Sequence, residues 1–457
     1  MEMIPPNEPV ANAIYRKALR KWALKSQANR DWLMAKCKED YFYFIRSFWW
    51  LIEPRPEEGE SIIRPFVPWA HQIPMMETIL KHLGYQDIGV DKARGEGASW
   101  IVLSIFVWRW LFWPLQSFVI VSRNQESADT PGNLGTLGAK IDWEMTMLPL
   151  WMTGRQGRGL GDGDWSRNVS KHSWLRHGSK SSIVALATTS DLASGSRDTA
   201  ILLDEFAKFP RGDDEAVLSA TEPVTNCRLL VSTYEGADGA YYRAMHEPSS
   251  MVKIILRWED NPSRNQHLFC IDAKNSKLLA PGGNRPALMP EGYEEHFFEH
   301  EFKLLRARGF DVESRTKEWS PWYVERCLRP RMTPKKIAQE YDRDPAGSGN
   351  SFFPPATIQV LRDRSRPPDQ CGELEFHPET LFPTRFYRAH NGLFRLWFPL
   401  ESASGRPPAG NYVVGVDVAS GNGTCHASNS AISVVDRNTG NKVAEFASHI
   451  CTPERLA

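Results

Sequence analysis

Residues 88–112 read IGVDKARGEGASWIVLSIFVWRWLF, and this stretch decides the fold. A short apolar strand is followed by a glycine-containing loop and then by a long apolar helix. This order places backbone N–H groups and a helix N-terminus where they can bind phosphate. Gly95 and Gly97 let the backbone approach an anion, and Ser99 supplies a hydroxyl for Mg²⁺. The sequence therefore predicts a phosphate loop at residues 92–99.

The predicted loop lacks the lysine that ordinarily precedes the Ser or Thr of a phosphate loop, because Ala98 stands there. A cation is still required against the charge of the β- and γ-phosphates of a nucleotide. Lys92 at the start of the loop and Arg94 within it are the two nearby candidates, and we favour Lys92. Glycine-rich turns between a strand and a helix are also common as structural features, so other motifs must support this interpretation.

Three further motifs give that support. The run ILLDEF ends an apolar strand with Asp204 and Glu205, as a Walker B strand does. Asp204 would hold Mg²⁺ through water, and Glu205 would polarise the attacking water. Another apolar strand ends in Ser232 and Thr233, where a motor can sense the γ-phosphate. Upstream, Gln72 has the paired donor and acceptor that could read the edge of adenine.

The apolar runs also predict the architecture. FVIV, AILL and RLLV are continuously apolar, which favours central strands of a parallel sheet covered on both faces. We predict an α/β core at residues 61–260, preceded by a helical region at 1–60 that packs on it. Residues 261–385 are predicted to form a helical connecting subdomain. A new domain is expected at 386–457, with a hairpin at the turn NTG.

Composition limits the classes of function. The chain has 457 residues, with 55 Lys plus Arg against 55 Asp plus Glu, so no global positive field indicates a histone-like DNA binder. The seven cysteines are scattered without a CxxC pair, which suits a reducing compartment and argues against a structural zinc site. The N-terminus has no apolar signal segment, so we expect a cytosolic protein without a membrane span.

The order of these motifs resembles that of the large terminase family of tailed bacteriophages. The resemblance covers nearly the whole chain and includes VDKARGEGASW, VSRNQESADTPGN, SPWYVERCLRPRMTPKKIAQEYDRDPAGSGNSFF and GVDVASGNGTCHASNSAISVVDRNTG. It implies an ASCE-type, RecA-like P-loop ATPase with a parallel central sheet and a helical connecting subdomain. It also implies the start of an RNase H-like nuclease domain, which we expect to be truncated where the chain ends.

The resemblance carries roles over to single residues. Lys92 and Arg94 match the basic positions of a deviant phosphate loop. Asp204 matches the metal-holding acid and Glu205 the catalytic acid. Ser232 and Thr233 match the coupling motif, and Asp417 matches the first metal-binding carboxylate of the nuclease. ATP with Mg²⁺ is implied at the first site, and Mg²⁺ or Mn²⁺ at the nuclease site of the full-length protein. Since an RNase H-like site needs several carboxylates and Asp436 is interpreted as a turn residue, we expect this chain not to cut DNA.

The resemblance further implies partners and a location. Double-stranded DNA, the portal protein of the procapsid and the small terminase subunit are the expected partners, with the chain active as a homo-oligomeric ring. The expected location is the host cytoplasm, transiently docked on the procapsid and absent from the mature virion. Such rings often take an arginine from the neighbouring subunit. Arg197 is the candidate for this catalytic arginine, and Arg123 is the alternative.

Two other functions compete with a DNA-packaging motor as interpretations of the sequence. A helicase or repair translocase would require nucleotide-binding motifs of a second motor domain, and the sequence after residue 260 contains none. A catalytically silent assembly or DNA-binding module is consistent with Ala98 and with the expected truncation. DNA contacts of a packaging motor would be to phosphates, and the Lys and Arg residues at 300–345 are candidates, although a solvated helix face explains them equally well.

Overall fold

The computed structural model describes residues 4–53, 61–157, 163–188, 196–210, 212–349, 364–380, 382–401, 404–419, 428–451 and 453. The chain divides into two compact units, Met1–Phe352 and Phe353–Ala457. The helices delimited within the described residues all lie in the first unit: α1 (Pro9–Ala23), α2 (Gln27–Glu39), α3 (Tyr41–Phe48), α4 (Ile73–His82), α5 (Ala98–Phe112), α6 (Gln125–Ala128), α7 (Leu137–Met147), α8 (Leu150–Thr153), α9 (Asp213–Thr221), α10 (Gly239–His246), α11 (Tyr293–His296), α12 (Phe302–Ala307), α13 (Pro321–Leu328), α14 (Pro334–Ile337) and α15 (Pro345–Ser348).

The strands form four sheets, three of them in the first unit. Their bounds are β1 (Trp50–Ile52), β2 (Ile63–Pro65), β3 (Ile88–Lys92), β4 (Ser117–Ser122), β5 (Trp165–Asn168), β6 (Ser173–Arg176), β7 (Ser182–Ala187), β8 (Ala200–Asp204), β9 (Arg228–Ser232), β10 (Val252–Leu256), β11 (Phe269–Asp272), β12 (Lys277–Leu279), β13 (Glu318–Trp319), β14 (Gln370–Phe376), β15 (Pro383–Arg388), β16 (Phe394–Leu396), β17 (Tyr412–Asp417), β18 (Ser430–Asp436) and β19 (Lys442–Ser448).

The central sheet has eight strands in the order β10-β3-β9-β8-β4-β7-β6-β5. The six strands from β10 to β7 pair in parallel, and β6 pairs antiparallel with both β7 and β5. Strand β9 therefore lies between the strand of the predicted phosphate loop and the acidic strand β8, which is the additional-strand arrangement of an ASCE ATPase. The predicted α/β fold with a parallel central sheet is confirmed.

The sheet is covered on both faces, as the continuous apolar runs predict. One face buries alternate residues of β3, β4, β8 and β9 against helices α1 to α5 and α7, and the other buries the residues between them against α9 and α10. Side chains on successive positions of a strand point to opposite faces, so each central strand serves both cores. Strands β3, β8 and β9 consequently hold their carboxyl ends in one fixed line at one edge of the sheet.

The N-terminal helices belong to the core of the first unit. Arg16 on α1 is 1% exposed, and its guanidinium donates to the carbonyl oxygens of Ile45, Trp49 and Phe66. Buried charges persist in proteins when such acceptors satisfy their donors. The aromatic residues of this segment therefore pack as a helical layer on the sheet.

A separate apolar core forms after β10. It is built from residues of β11, β12, β13, the helical segment 293–307 and α13, with Trp258, Trp319 and Tyr323 among its fully buried side chains. Ala93, at the start of the phosphate loop, packs into this core. This subdomain is therefore attached directly to the loop that is predicted to hold phosphate.

The second unit is a six-stranded antiparallel sheet in the order β15-β14-β16-β19-β18-β17. The predicted hairpin at NTG joins β18 to β19 and is confirmed. The boundary predicted at residue 386 falls inside β15, which pairs with β14, so this sheet begins earlier in the chain than predicted. Only Leu374 and Phe376 of β14 alternate with polar residues, and β15 has no such alternation, so the sequence marks these two strands weakly.

Within the described ranges, none of the helices combines the length and the apolar content that are needed to cross a bilayer. Within those ranges, free thiols are found at Cys37, Cys227, Cys270, Cys327 and Cys371.

Candidate functional site

The phosphate loop and the acidic strand meet at the carboxyl edge of the central sheet. Ser99 Oγ donates to Asp204 Oδ1 at 2.9 Å, and Lys92 Nζ donates to Glu205 Oε1 at 2.7 Å. These pairs join segments that are 105 and 113 residues apart in the chain. Four residues that the sequence singled out separately are thus in direct contact.

The backbone of the loop is arranged to accept an anion. Within the described part of the chain, the N–H groups of residues 95–99 have no hydrogen-bond acceptor. Gly97 takes a left-handed conformation with φ 75° and is the N-cap of α5, whose first residue is Ala98. Successive free N–H groups at the start of a fifteen-residue helix form a concave donor set of positive potential.

Gln72 supports the backbone of this loop through a hydrogen bond. Its Nε2 donates to the carbonyl oxygen of Glu96 at 2.9 Å, and its Oε1 accepts from Trp69 N–H at 3.0 Å. The side chain is only 2% exposed. The contacts give Gln72 a positioning role, and adenine reading by this residue stays a prediction.

A buried polar cluster fixes Glu96, which is fully buried. Its carboxylate contacts His71 Nε2 at 2.9 Å, Asn261 Nδ2 at 3.1 Å and the guanidinium of Arg264. Arg264 also donates to the carbonyl oxygens of Arg94 and Gly95. Arg264 thus holds the loop by its carbonyl oxygens, while the N–H groups of residues 95–99 have no acceptor within the described residues.

Lys92 is buried among carboxylates. Burial would lower the pKa of its ammonium group, but Glu205 and Asp204 outweigh this and raise it. Burial would likewise raise the pKa of Glu205, but the charges of Lys92 and Lys208 lower it to about 2. Burial is the larger effect on Asp204, whose pKa is raised despite Lys92. The site therefore holds an ionised Glu205 between two lysines, with Lys208 Nζ at 2.7 Å from Oε2.

Glu205 has an unusual backbone. Its φ of 55° and ψ of 40° lie in the left-handed region, which a residue with a side chain adopts at an energetic cost. The following residues turn into a short 3₁₀ helix, Phe206–Lys208, which carries Lys208 back to the carboxylate. Strained positions of this kind cluster at functional sites, because the surrounding structure must hold the side chain in one place.

The predicted coupling residues contact the segment that follows Glu205. Ser232 Oγ accepts a hydrogen bond from Ala207 N–H at 3.1 Å and donates to the carbonyl oxygen of Thr233. The hydroxyl of Thr233 is buried without a partner in the described residues. A buried hydroxyl left unpaired is costly, so this position is suited to exchange partners when the site changes.

Arg94 forms its ion pair with the subdomain. Its guanidinium contacts Glu340 Oε2 at 2.8 Å, and its backbone N–H donates to the carbonyl oxygen of Glu340 at 2.6 Å. Glu340 is 2% exposed and also contacts Lys336 at 3.0 Å and Lys208 at 4.0 Å. These cations lower the pKa of Glu340 although burial opposes them. Arg94 is thus a link between loop and subdomain, while Lys92 is the cation beside the acidic pair.

Lys140 is a further cation of the site that the sequence did not reveal. It lies on α7, with Nζ 5.6 Å from the ring centroid of Trp100, the residue after Ser99. Burial lowers the pKa of Lys140, Asp204 and Glu205 oppose that shift, and Lys92 adds to it. Lys140 therefore lies within the electrostatic reach of the acidic pair.

The predicted arginines occupy different edges of the sheet. Arg197 lies three residues before β8 and Asp204 is the last of its five residues, so the full length of the strand separates them. Arg197 cannot reach the site of its own chain, and its action on a neighbouring subunit stays a prediction. Arg123 follows β4 at the same edge as Asp204 and is exposed.

Asp417 ends the exposed edge strand β17. Asp436 pairs with Tyr412 at the opposite end of the β17–β18 ladder and accepts from Asn438 N–H in a turn, as predicted. Among the described residues, no three-ligand group of metal-binding side chains includes Asp417. Residues 420–427 of the quoted motif lie outside the described residues. The metal role of Asp417 therefore stays a prediction.

Most cations at residues 300–345 have partners within the chain. The paired side chains are Arg306, Arg308, Arg315, Lys317, Arg329, Lys336 and Arg343. Six of them pair with carboxylates and Arg308 donates to backbone carbonyl oxygens, so this stretch gives no separate indication of a DNA-binding surface.

No protein-family model matches the chain, and no curated protein matches it in sequence. Solved structures do resemble it. The chain is similar to phage large terminases.

The similarity extends over different shares of these structures. The bacteriophage HK97 large terminase is 10% identical with a TM-score of 0.44, covering 90% of this chain and 67% of that one. The large terminase ATPase domain of Thermus phage P74-26 is 13% identical with a TM-score of 0.30, covering 42% and 83%. The large terminase of a thermophilic bacteriophage in complex with ADP is 11% identical with a TM-score of 0.32, covering 45% and 48%. At these TM-scores no residue of the site is assigned by similarity, and the functional assignment rests on the contacts described above.

The geometry of the loop predicts an effect of Gly97→Ala. A Cβ at Gly97 would lie 3.1 Å from Gln72 Nε2 in a left-handed backbone. The control Gly132→Ala has the same backbone strain, with φ 80° and nothing within 4 Å of its Cβ. Both variants should lose about 1 kcal/mol of stability, but only Gly97→Ala should speed hydrogen exchange of the loop, measured by mass spectrometry on peptides covering 93–99. Equal exchange in the two variants would contradict the supporting role of Gln72.

Proposed function

We propose that this chain is an ATPase that drives double-stranded DNA into a viral procapsid, as a large terminase does. The observation that carries the proposal is the double contact of Ser99 with Asp204 and of Lys92 with Glu205. A hydroxyl, a carboxylate, a buried lysine and a row of free N–H groups are the parts that bind and hydrolyse a nucleoside triphosphate. Portal protein, small terminase subunit and a homo-oligomeric ring are the partners that this function would require.

Each residue has a chemical task in this proposal. The N–H groups of residues 95–99 and the ammonium of Lys92 bind the β- and γ-phosphates. Ser99 Oγ and the carboxylate of Asp204 are hard oxygen donors that fit Mg²⁺, which would neutralise phosphate charge when bound. Glu205 orients a water molecule for attack on the γ-phosphorus. The bond to the β,γ-bridging oxygen then breaks, and ADP and inorganic phosphate are released.

The pairing of Glu205 with two lysines supports the proposal that Glu205 becomes an effective base only when substrate is bound. With a pKa of about 2, Glu205 is ionised at neutral pH but is a weak proton acceptor. A triphosphate offers Lys92 a second anion, and transfer of Lys92 to phosphate removes the largest charge that lowers the pKa of Glu205. The carboxylate would then become more basic only when substrate is bound.

The contacts between the subdomain and the phosphate loop support the proposal that a change at the ATP site is transmitted to a part of the protein that holds DNA. Glu340, Arg264 and Arg343 link the subdomain to Arg94, Glu96 and Asp91, which all lie in or next to the phosphate loop. Movement of the loop on loss of the γ-phosphate would move these ion pairs together with the subdomain. Ser232 would carry the same change through β9.

Two competing functions fit less well. A helicase with two motor domains needs a second parallel sheet, whereas the sheets after residue 260 are antiparallel throughout the described ranges. A silent module has no need for a buried lysine held against two carboxylates. The second unit is proposed as an RNase H-like nuclease domain; among the described residues no cluster of metal ligands includes Asp417, and we therefore propose that this chain does not cut DNA.

ATP turnover tests the assignment of Lys92 and Glu205. Lys92→Ala should abolish turnover and weaken ATP binding, and Glu205→Gln should lower kcat at least about a hundredfold while ATP still binds. The exposed Lys171→Ala is the control and should leave both unchanged. Turnover is measured as phosphate release with and without double-stranded DNA. Near-normal turnover in Lys92→Ala would reject the assignment, and a wild-type chain silent even with DNA on portal would favour the silent module.

Lys140 should contribute to turnover rather than to folding. We expect Lys140→Met to lower kcat by about tenfold or more, because a cation near the transferred phosphate stabilises its developing charge. Lys140→Arg should retain more activity than Lys140→Met. A thermal unfolding midpoint close to wild type must accompany the loss, and unchanged kcat in Lys140→Met would remove this residue from the site.

A further inference from the structure

Three metal-type ligands lie on one side of a helical segment in the subdomain. His296, His300 and Glu301 each place a ligand atom within 4.8 Å of the others. His296 Nε2 lies 2.8 Å from Glu301 Oε1, and the rings of His296 and His300 stack with centroids 5.6 Å apart and 9° between their planes. No other group of three such ligands occurs within the described residues.

A π-helical turn brings these three side chains together. In an α-helix, positions i and i+5 point about 140° apart around the axis. The segment Phe297–Glu301 is π-helical, and Phe302 N–H donates to the carbonyl oxygen of Phe297, five residues earlier. The wider turn brings Glu301 back beside His296, while His300 stays on its other flank. Single π turns are rare and occur frequently at functional sites.

The backbone under the three ligands is anchored. Phe297 is fully buried and stacks edge-on against Phe269 of β11, with ring centroids 5.3 Å apart. Leu305, further along the helix, is also fully buried. With the apolar side fixed in the core, the ligand side faces outward, and the side chain of His296 is 61% exposed.

We propose that His296, His300 and Glu301 bind one divalent ion of the zinc class. Two imidazole nitrogens and one carboxylate oxygen are a ligand set for Zn²⁺ or Co²⁺, whereas Mg²⁺ takes oxygen ligands. Histidines four residues apart on a helix face are a recurrent zinc-binding pair. The ion would keep one position open for water or for a ligand from another molecule.

The separations suit this coordination. Tetrahedral ligands around Zn²⁺ lie about 3.4 Å apart, given bonds of about 2.1 Å. The pair at 2.8 Å is slightly closer than this, and the remaining separations of up to 4.8 Å close by side-chain rotation. Glu301 Oε2 is buried without a hydrogen-bond partner in the described residues, so this carboxylate has an acceptor position to spare. The scattered cysteines argued against a structural zinc site, but the ligands proposed here include no cysteine.

The site is independent of ATP hydrolysis, so its test stands apart from that of the proposed function. The full, tag-free chain is titrated with Zn²⁺ by calorimetry and with Co²⁺ by visible absorption, without nucleotide or Mg²⁺. We expect one ion per chain with micromolar affinity and a Zn²⁺-dependent rise in the thermal unfolding midpoint. The exposed His449→Gln and Glu299→Gln are controls and should bind as wild type does.

Substitution of the three proposed ligands tests the metal site. His296→Gln and His300→Gln should each weaken binding at least about tenfold, and Glu301→Gln should weaken it and shift the Co²⁺ spectrum. All three variants are expected to fold, which circular dichroism verifies. Absence of binding up to millimolar Zn²⁺, or unchanged affinity in His300→Gln, would overturn the site. Unchanged affinity and spectrum in Glu301→Gln would overturn the role of the π turn.

Discussion

The ion pair of Lys92 with Glu205 is the constraint on which the rest of the structure depends. A lysine that is 7% exposed requires a compensating anion, and the carboxylate comes from a residue 113 positions later. The pair can form only if β3 and β8 end at the same edge of one parallel sheet with β9 between them. Sheet order, strand register and the left-handed backbone of Glu205 all serve this contact.

The subdomain is joined to the loop by charges as well as by apolar packing. Arg94 and Glu96, on either side of Gly95, pair with Glu340 and Arg264 of the subdomain. A loop with ionic partners on one side and free N–H groups on the other can exchange contacts without unfolding. Ion pairs of this kind have discrete arrangements, so a small shift at the phosphate loop can be passed on as a larger movement.

The sequence predicted the parts of the site that carry local signals. The central strands were predictable because their apolar runs are continuous, and Asp204 and Glu205 because they end such a run. Glu340 could not be predicted, since it contacts Arg94 across 246 residues and lies in the π-helical segment Ala338–Asp342, whose charged sequence gives no local signal. The proximity of Lys140 to the acidic pair could not be predicted for the same reason. The start of the second sheet was missed because the sequence marks β14 and β15 weakly, and their pairing depends on tertiary contacts more than on apolar alternation.

A structure of the chain with a non-hydrolysable ATP analogue and Mg²⁺ tests the central claim most directly. The account predicts that the ammonium of Lys92 contacts the β- or γ-phosphate, with the loop N–H groups around the phosphates and Ser99 and Asp204 at the metal. Glu205 should then face the γ-phosphate with only Lys208 as its partner. A triphosphate bound elsewhere, or bound here while Lys92 stays paired with Glu205 and another cation reaches the phosphates, would contradict it.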